Sequence, residues 1–359
     1  MSAVPASAIG FRSNSLASSK AWVINGFLWF SLCVYAWSRW VFGPYFVQNT
    51  TGRDLAPDWY VDLARAVEVL SVVASGVILY KFVVKPKRTT GRLSFDGLFF
   101  LGGWMMYIQE PWINWTSVQF LYSTVFVNFG CWCGYIPGWS SPNPEKIPVA
   151  LIAWGGAYLW VVAFPGWLGS RFMTWLHRRY SQFSGAQLIG VTYLGFVCFT
   201  FLMESIFLRT ELFSYASTIP SLTMFAGTKH QFPIYEVLSW SGNYTGLASI
   251  HFFRDDQGRS FVERGVDRLK LPDRLTTFAR FLAIMGACQL SMLITYNLPY
   301  QLWALHAGPL LPAFEEYRTA GLCGPKTDYA CPDPSLPIAR RSSPTNRIEV
   351  DPNAKPTAP

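Results

Sequence analysis

Seven blocks of this chain are long and apolar enough to cross a bilayer: about 21–43, 59–84, 93–110, 147–168, 186–208, 233–253 and 278–299. A membrane helix needs roughly 20 mainly apolar residues, and in hydrocarbon its backbone groups must be satisfied within the segment. The pattern therefore predicts an all-α, polytopic membrane helix bundle of about seven transmembrane helices. Only 14% of the residues are charged and 17% are aromatic. A soluble domain carries about 25% charged residues, and the aromatic surplus suits interfacial belts.

The net charge of +8 does not point to nucleic acid, because the Lys and Arg residues sit in loops between apolar blocks. The loop after the second block holds Lys81, Lys85, Lys87, Arg88 and Arg92, and the loop after the fourth holds Arg171, Arg178 and Arg179. The loop after the sixth holds Arg254, Arg259, Arg264, Arg268, Lys270, Arg274 and Arg280. The intervening loops hold few, mainly Arg53, Lys146 and Lys229. The positive-inside rule then puts the N-terminus in the cytoplasm and the C-terminus outside, in a cell membrane. The sixth block is polar for a span, with Glu236, Ser239, Ser241, Asn243 and Thr245, which suits a cavity-lining or partly re-entrant helix. Without it, the richest basic loop would fall on the outer side.

Three regions follow. Residues 1–20 form a cytoplasmic segment, and the apolar run from Ala21 is too long for a signal-peptide core, with no small-x-small site after it. Residues 21–305 form the membrane domain, with an aromatic outer loop at 111–146 that reads as a lid carrying one short helix near Ser117–Phe126. Residues 306–359 form an outer tail, disordered from Pro334 to Pro359 by its Pro-rich, polar composition. Cys323 and Cys331 lie where a disulfide could persist, and two free thiols is the alternative. The C-x-C pair Cys131 and Cys133 reads as small buried packing residues.

Carboxylates inside spans are costly unless they face a partner or a wet cavity. Here most fall at one depth, the outer half of the membrane. Asp62, Arg65 and Glu68 lie one helical turn apart in the second span. Asp96, Gly103 and Glu110 recur every seven residues along the third, with Asp96 at the inner end. Glu204, within VCFTFLMESIF, cannot easily reach water, and Glu211 follows two turns later. Glu236 opens the sixth span, and Tyr296 and Asn297 close the seventh. A shared outer-leaflet cavity explains this better than independent coincidences. Desolvation and clustering there favour a neutral carboxylic acid, which can protonate a carbonyl, an alkene or a leaving hydroxyl.

Other chemistries lack their residues. The four His (His177, His230, His251, His306) make no H-x-x-x-H pair, which argues against di-iron chemistry. Asp255-Asp256 has no second aspartate-rich partner for a magnesium diphosphate site. The seventh span has no Lys for a retinal Schiff base, and no Walker-type loop is present. No metal or cofactor is expected.

The last inner loop reads FRDDQGRSFVERGVDRL and ends at Leu269, and an outer loop reads GYIPGW from Gly134 to Trp139. These motifs and the acidic spans together resemble the avermectin-type spirocyclase (AveC-like) family of integral membrane proteins, over roughly 20–305 and not the tail. The resemblance implies a membrane enzyme of lyase or isomerase type that closes a spiroketal from a dihydroxyketone, sometimes with dehydration. It supplies no catalytic residue. On the residues alone, Glu204 is the expected general acid and Glu110 the base, with Glu236 beside them. Asp62, Arg65, Glu68, Glu211, Asn297, Tyr296 and Trp112 are expected to bind a lipophilic, polyketide-like or terpenoid-like substrate. A membrane terpene cyclase or isomerase, and a proton-coupled carrier of a lipophilic molecule, are the alternatives. The lack of an internal repeat weighs against the carrier.

Overall fold

The computed structural model describes residues 16–49, 54–141, 144–307 and 315–319. Among them the chain is mostly helical, and each of the seven apolar blocks is helical over most of its length. Four helices are long and apolar enough to cross a membrane: Ser18–Val41, Asp58–Thr90, Gly185–Arg209 and Asp273–Ala304. The Pro334–Pro359 tail, the Cys323–Cys331 pair and most of the 1–20 segment lie outside the described residues.

The first helix, α1, spans Leu16–Val41 and α2 spans Asp58–Leu79. Through a π-helical turn, Tyr80–Val84, α2 runs on into α3, Lys85–Thr90. Then come α4 (Phe95–Trp104), capped by Ser94 Oγ on the Gly97 amide at 3.1 Å, and a 3-10 stretch, Met105–Asn114. Helix α5 (Ala153–Ala157) continues through a second π-helical turn, Tyr158–Ala163, into α6 (Phe164–Arg179). Next are α7 (Gly185–Arg209), which starts at a Ser184–Gln187 capping box, and α8 (Ile234–Phe252). The final long helix is α9 (Asp273–Met292), a third π-helical turn, Leu293–Asn297, and α10 (Leu298–Ala304). A last turn, α11, covers Glu316–Thr319.

The long helices are polar inside and apolar outside. The buried stripe of α7 is Leu188, Thr192, Phe196, Thr200, Glu204 and Leu208, every fourth residue. Its outward face carries Leu194, Leu202 and Ile206, all more than 60% exposed. Helix α2 buries Glu68, Ser71 and Ser75 and turns Val69, Val72, Val73 and Val77 outward. A water-soluble helix reverses this order. Tight crossings rest on glycine. A Cβ on Gly26 of α1 would overlap the Leu282 carbonyl of α9, and one on Gly102 would come within 3.0 Å of the Met285 Cα.

Each π-helical turn ends two residues before a proline: Val84 before Pro86, Ala163 before Pro165, Asn297 before Pro299. Proline removes an amide donor and clashes with the carbonyl four residues upstream, so the preceding turn widens rather than closing as α. The second and third turns carry Tyr158 and Tyr296 to the bundle centre. Pro299→Ala is therefore expected to let the last turn relax to α-helix and rotate Tyr296 away from its present wall. A structure of that variant retaining the π-helical turn would show that proline is not its cause.

The aromatic loop is not the predicted helix. Phe120–Tyr122 forms strand β1, antiparallel to β2 (Phe213–Tyr215), with Phe120 opposite Tyr215 and Tyr122 opposite Phe213. The local sequences FLY and FSY alternate, so period 2 puts both aromatic pairs on one face, and a distant partner overrides local helix formation. A second small pair, β3 (Thr223–Met224) with β4 (Phe232–Pro233), lies beside it. Loop residues Leu121, Tyr122, Phe126 and Trp132 are buried, so this lid is part of the core. Cys131 and Cys133 are buried as expected, but they are paired as a disulfide rather than serving only as packing residues.

At the basic end, Asp255 accepts from the amides of Gln257 (3.0 Å) and Arg259 (2.9 Å), Arg259 pairs with Asp267, and Arg280 meets Glu263 at 2.6 Å. This is a salt-bridged turn, as its mixed charges suggest. Asp96 lies nearby, 2.9 Å from His251 Nε2, whose Nδ1 is 2.7 Å from Ser170 Oγ. That buried clasp ties α4, α6 and α8 together.

Candidate functional site

Glu110, Glu204 and Glu236 line one cavity of about 60 Å³ at the centre of the bundle. Glu110 comes from the 3-10 stretch after α4, Glu204 from α7 and Glu236 from the first turn of α8. Glu204 and Glu236 are buried. The volume holds a few water molecules, far less than a lipophilic substrate. The walls are aromatic. Phe120, Tyr122, Phe213 and Tyr215 come from the strand pair, Trp154 and Tyr158 from α5 and its π-helical turn. Trp240 and Tyr296 close the far side with ring centroids 4.6 Å apart. Among the described lining residues there is no Lys, Arg or His.

The three carboxyls differ in what they are given. Glu110 accepts hydrogen bonds from both Tyr122 and Tyr158. Glu204 accepts one, from Tyr215 at 3.1 Å. Glu236 Oε2 is buried without a hydrogen-bond partner among the described residues. A buried polar atom left open in this way is costly, and it marks where an additional molecule can bind. Both lid strands thus hold the site, β1 through Tyr122 on Glu110 and β2 through Tyr215 on Glu204.

Tyr296 lines the cavity, but six residues expected to bind substrate do not. Asp62 points outward and is exposed. Arg65 and Glu68 pair with each other and grip the loop instead: Arg65 Nη2 donates to the Val125 carbonyl (2.7 Å), and Glu68 Oε1 accepts from the Val127 amide (2.7 Å). Spacing of three put them on one helix face, but that face meets loop backbone. Trp112 packs on Trp29 and Trp115. Asn297 lies behind the wall, donating to Gln109 Oε1 at 2.9 Å, and Gln109 Nε2 donates to Gln289 Oε1 at 2.6 Å.

Glu211 does not continue the face of Glu204, because α7 stops at Arg209 and Glu211 turns to a left-handed φ of 61°. It meets Lys229 at 2.8 Å and pairs with Arg318. Burial alone would raise its carboxyl, but hydrogen bonds from Arg318 and Lys229 outweigh that and hold it below the ordinary range. The Tyr317 carbonyl accepts from the Thr124 amide (2.8 Å) and hydroxyl (3.1 Å). Residues 315–319 therefore fasten both lid strands from behind, Thr124 next to β1 and Glu211 next to β2. The expected boundary at residue 305 cuts off a segment that packs with the core.

The phenols Tyr122, Tyr158 and Tyr215 were not expected in the site. The signals that could have found them are the matched F-x-Y strands and the proline after the second π-helical turn.

The sequence profile of the spirocyclase AveC-like family matches residues 90–319. The chain belongs to this family, and membership supports a cyclase or dehydratase type of activity. The match spans the whole cavity and extends to the fastening segment, beyond the residue 305 limit of the sequence resemblance. No curated protein and no solved structure matches the chain.

Proposed function

We propose that this AveC-like spirocyclase family member is a membrane-embedded acid–base cyclase or dehydratase. It acts on a lipophilic hydroxy-ketone and draws on no cofactor. The observation that carries this reading is the convergence of three carboxyls from three separate elements on one aromatic cavity with no lining cation among the described residues.

The reaction balances without an oxidant or reductant. One hydroxyl of a dihydroxyketone adds to the carbonyl, giving a hemiketal. Protonation and loss of water leave an oxocarbenium ion, which the second hydroxyl attacks to close the spiroketal. The net change is loss of one water. Glu204 delivers the proton to the departing oxygen. Glu110, already accepting from two phenols, takes the proton from the attacking hydroxyl and faces the developing positive charge. The open oxygen of Glu236 orients the substrate hydroxyl. Aromatic faces flank the cation, and the closed lid keeps out competing water.

The helices cross the membrane seven times, with the N-terminus in the cytoplasm and the C-terminus outside. Alkaline phosphatase fused after Leu305 is then active, and the same reporter fused after Arg268 inactive. The reverse pattern would overturn the orientation. The activity itself is tested by lipid-extract metabolomics of a deletion strain. A ring-opened dihydroxyketone that accumulates without the gene, and disappears on complementation, is the expected result. Unchanged extracts would remove the enzyme reading.

A further inference from the structure

An apolar cleft of about 670 Å³ lies between α1 and α2. Helix α1 contributes Trp37 and Trp40, and α2 contributes Val72 and Gly76. Its floor is Trp104 and Tyr107. Four polar side chains of the cleft are already used. Trp104 Nε1 donates to the Gly155 carbonyl (2.7 Å), Trp40 Nε1 to the Phe129 carbonyl (3.0 Å), Ser75 Oγ to the Gly156 carbonyl (2.9 Å) and Tyr107 to the Ala150 carbonyl (3.2 Å). Apart from the indoles of Trp37 and Trp132, the remaining side chains of the cleft are apolar, so it suits hydrocarbon.

One layer of protein separates this cleft from the acid cavity. Helix α5 is the shared wall: Gly155 and Gly156 face the cleft, while Trp154 and Ala157 face the cavity. Beside it, the Tyr107 ring in the cleft floor packs 5.3 Å from the Tyr158 ring, whose hydroxyl holds Glu110. The acid cavity has room for reacting oxygens and not for the rest of a lipophilic molecule. The cleft has that room, and the packed rings of Tyr107 and Tyr158 stand between the two.

We infer that the α1–α2 cleft binds the apolar body of the substrate, taken laterally from the lipid phase, and that Tyr107 is the gate to the carboxyls. This rests on the reading of the cavity as an acid–base site for a lipophilic substrate. The occupant is the substrate itself, not a membrane phospholipid, because a single layer of protein separates the cleft from the cavity that the three carboxyls line.

Two glycines make the test clean. A Cβ on Gly76, inside the cleft, meets nothing within 4 Å, and the same holds for Gly190 on the outward face of α7. Gly76→Trp fills the cleft without forcing backbone apart, and Gly190→Trp is a matched control. Val72→Trp, from a residue 58% exposed in the cleft, is a second blocker should the first fold poorly. The probe is a long-chain dihydroxyketone with a diazirine on its alkyl tail, in phosphatidylcholine nanodiscs. A diazirine-tagged phosphatidylcholine is run in parallel.

The expected result is ketone labelling at Trp37–Val41 and Trp104–Tyr107 that unlabelled dihydroxyketone competes away. Both blockers should cut labelling and kcat/KM by at least about tenfold, while Gly190→Trp matches the wild type. Wild-type kcat/KM in a monodisperse Gly76→Trp or Val72→Trp preparation would overturn the proposal. So would cleft labelling by phosphatidylcholine that the ketone cannot displace. Competed cleft labelling with no cyclised product from the wild type would instead leave the cleft assignment standing and remove the cyclase reading.

Discussion

Glu204→Gln is expected to lower turnover by about 10²-fold or more, the usual scale for losing general acid–base assistance. The substitution keeps the size of the side chain and an acceptor for the Tyr215 hydroxyl, which now reaches Glu204 Oε2 at 3.1 Å. It removes only the acidic proton. Membrane insertion and yield should therefore stay near wild type. Asp255→Asn provides the contrast. Asp255 organises the basic turn through two backbone amides and lies nearest Arg264, at 3.6 Å. Its loss should reduce the amount of folded protein more than turnover per folded molecule. The measurement is product formed per detergent-extracted, monodisperse protein. Near-wild-type turnover in Glu204→Gln would take Glu204 out of the mechanism and move the balance to a carrier or structural role.

The parts of this molecule that could be read from sequence are those set by local composition. Apolar length marked the helices, and an unneutralised carboxyl in an apolar run singled out Glu204. The shared depth of Glu110, Glu204 and Glu236 led to one cavity because depth along a helix follows from residue number. Rotation about the helix axis does not follow so simply. Asp62, Arg65 and Glu68 share the expected depth, but Asp62 is exposed, and Arg65 and Glu68 meet loop backbone. Glu211 misses the face of Glu204 because the helix ends between them.

Non-local contacts were the other blind spot. Tyr122 and Tyr215 meet the carboxyls only because two short strands, far apart in the chain, pair in one register. No local propensity encodes that pairing, and three-residue strands carry little pattern of their own. The fastening segment at 315–319 was hidden by its surroundings. A Pro-rich, polar tail carries no apolar pattern that marks it for packing, yet Arg318 and Tyr317 find partners on both sides of the lid.

These phenols lead to the second large effect. Tyr122 and Tyr158 both donate to Glu110, so each should contribute to keeping that carboxyl an acceptor when the attacking hydroxyl must lose its proton. A hydrogen bond to a charged group is worth about 1.5–3 kcal/mol, and about 1.4 kcal/mol is a tenfold change in rate. Tyr122→Phe and Tyr158→Phe should each lower kcat roughly tenfold. The double variant should lose about 10²-fold or more, because half-buried Glu110 is then left with neither donor. Ring volume and aromatic packing are retained in both, including the contact of Tyr122 with Trp154 at 5.3 Å, so KM should change little. The split between kcat and KM is the informative readout. A large rise in KM with kcat preserved would mean that the two tyrosines bind substrate rather than tune Glu110. Wild-type kcat in the double variant would remove Glu110 as the proton acceptor and leave Glu236, with its open oxygen, to take that part.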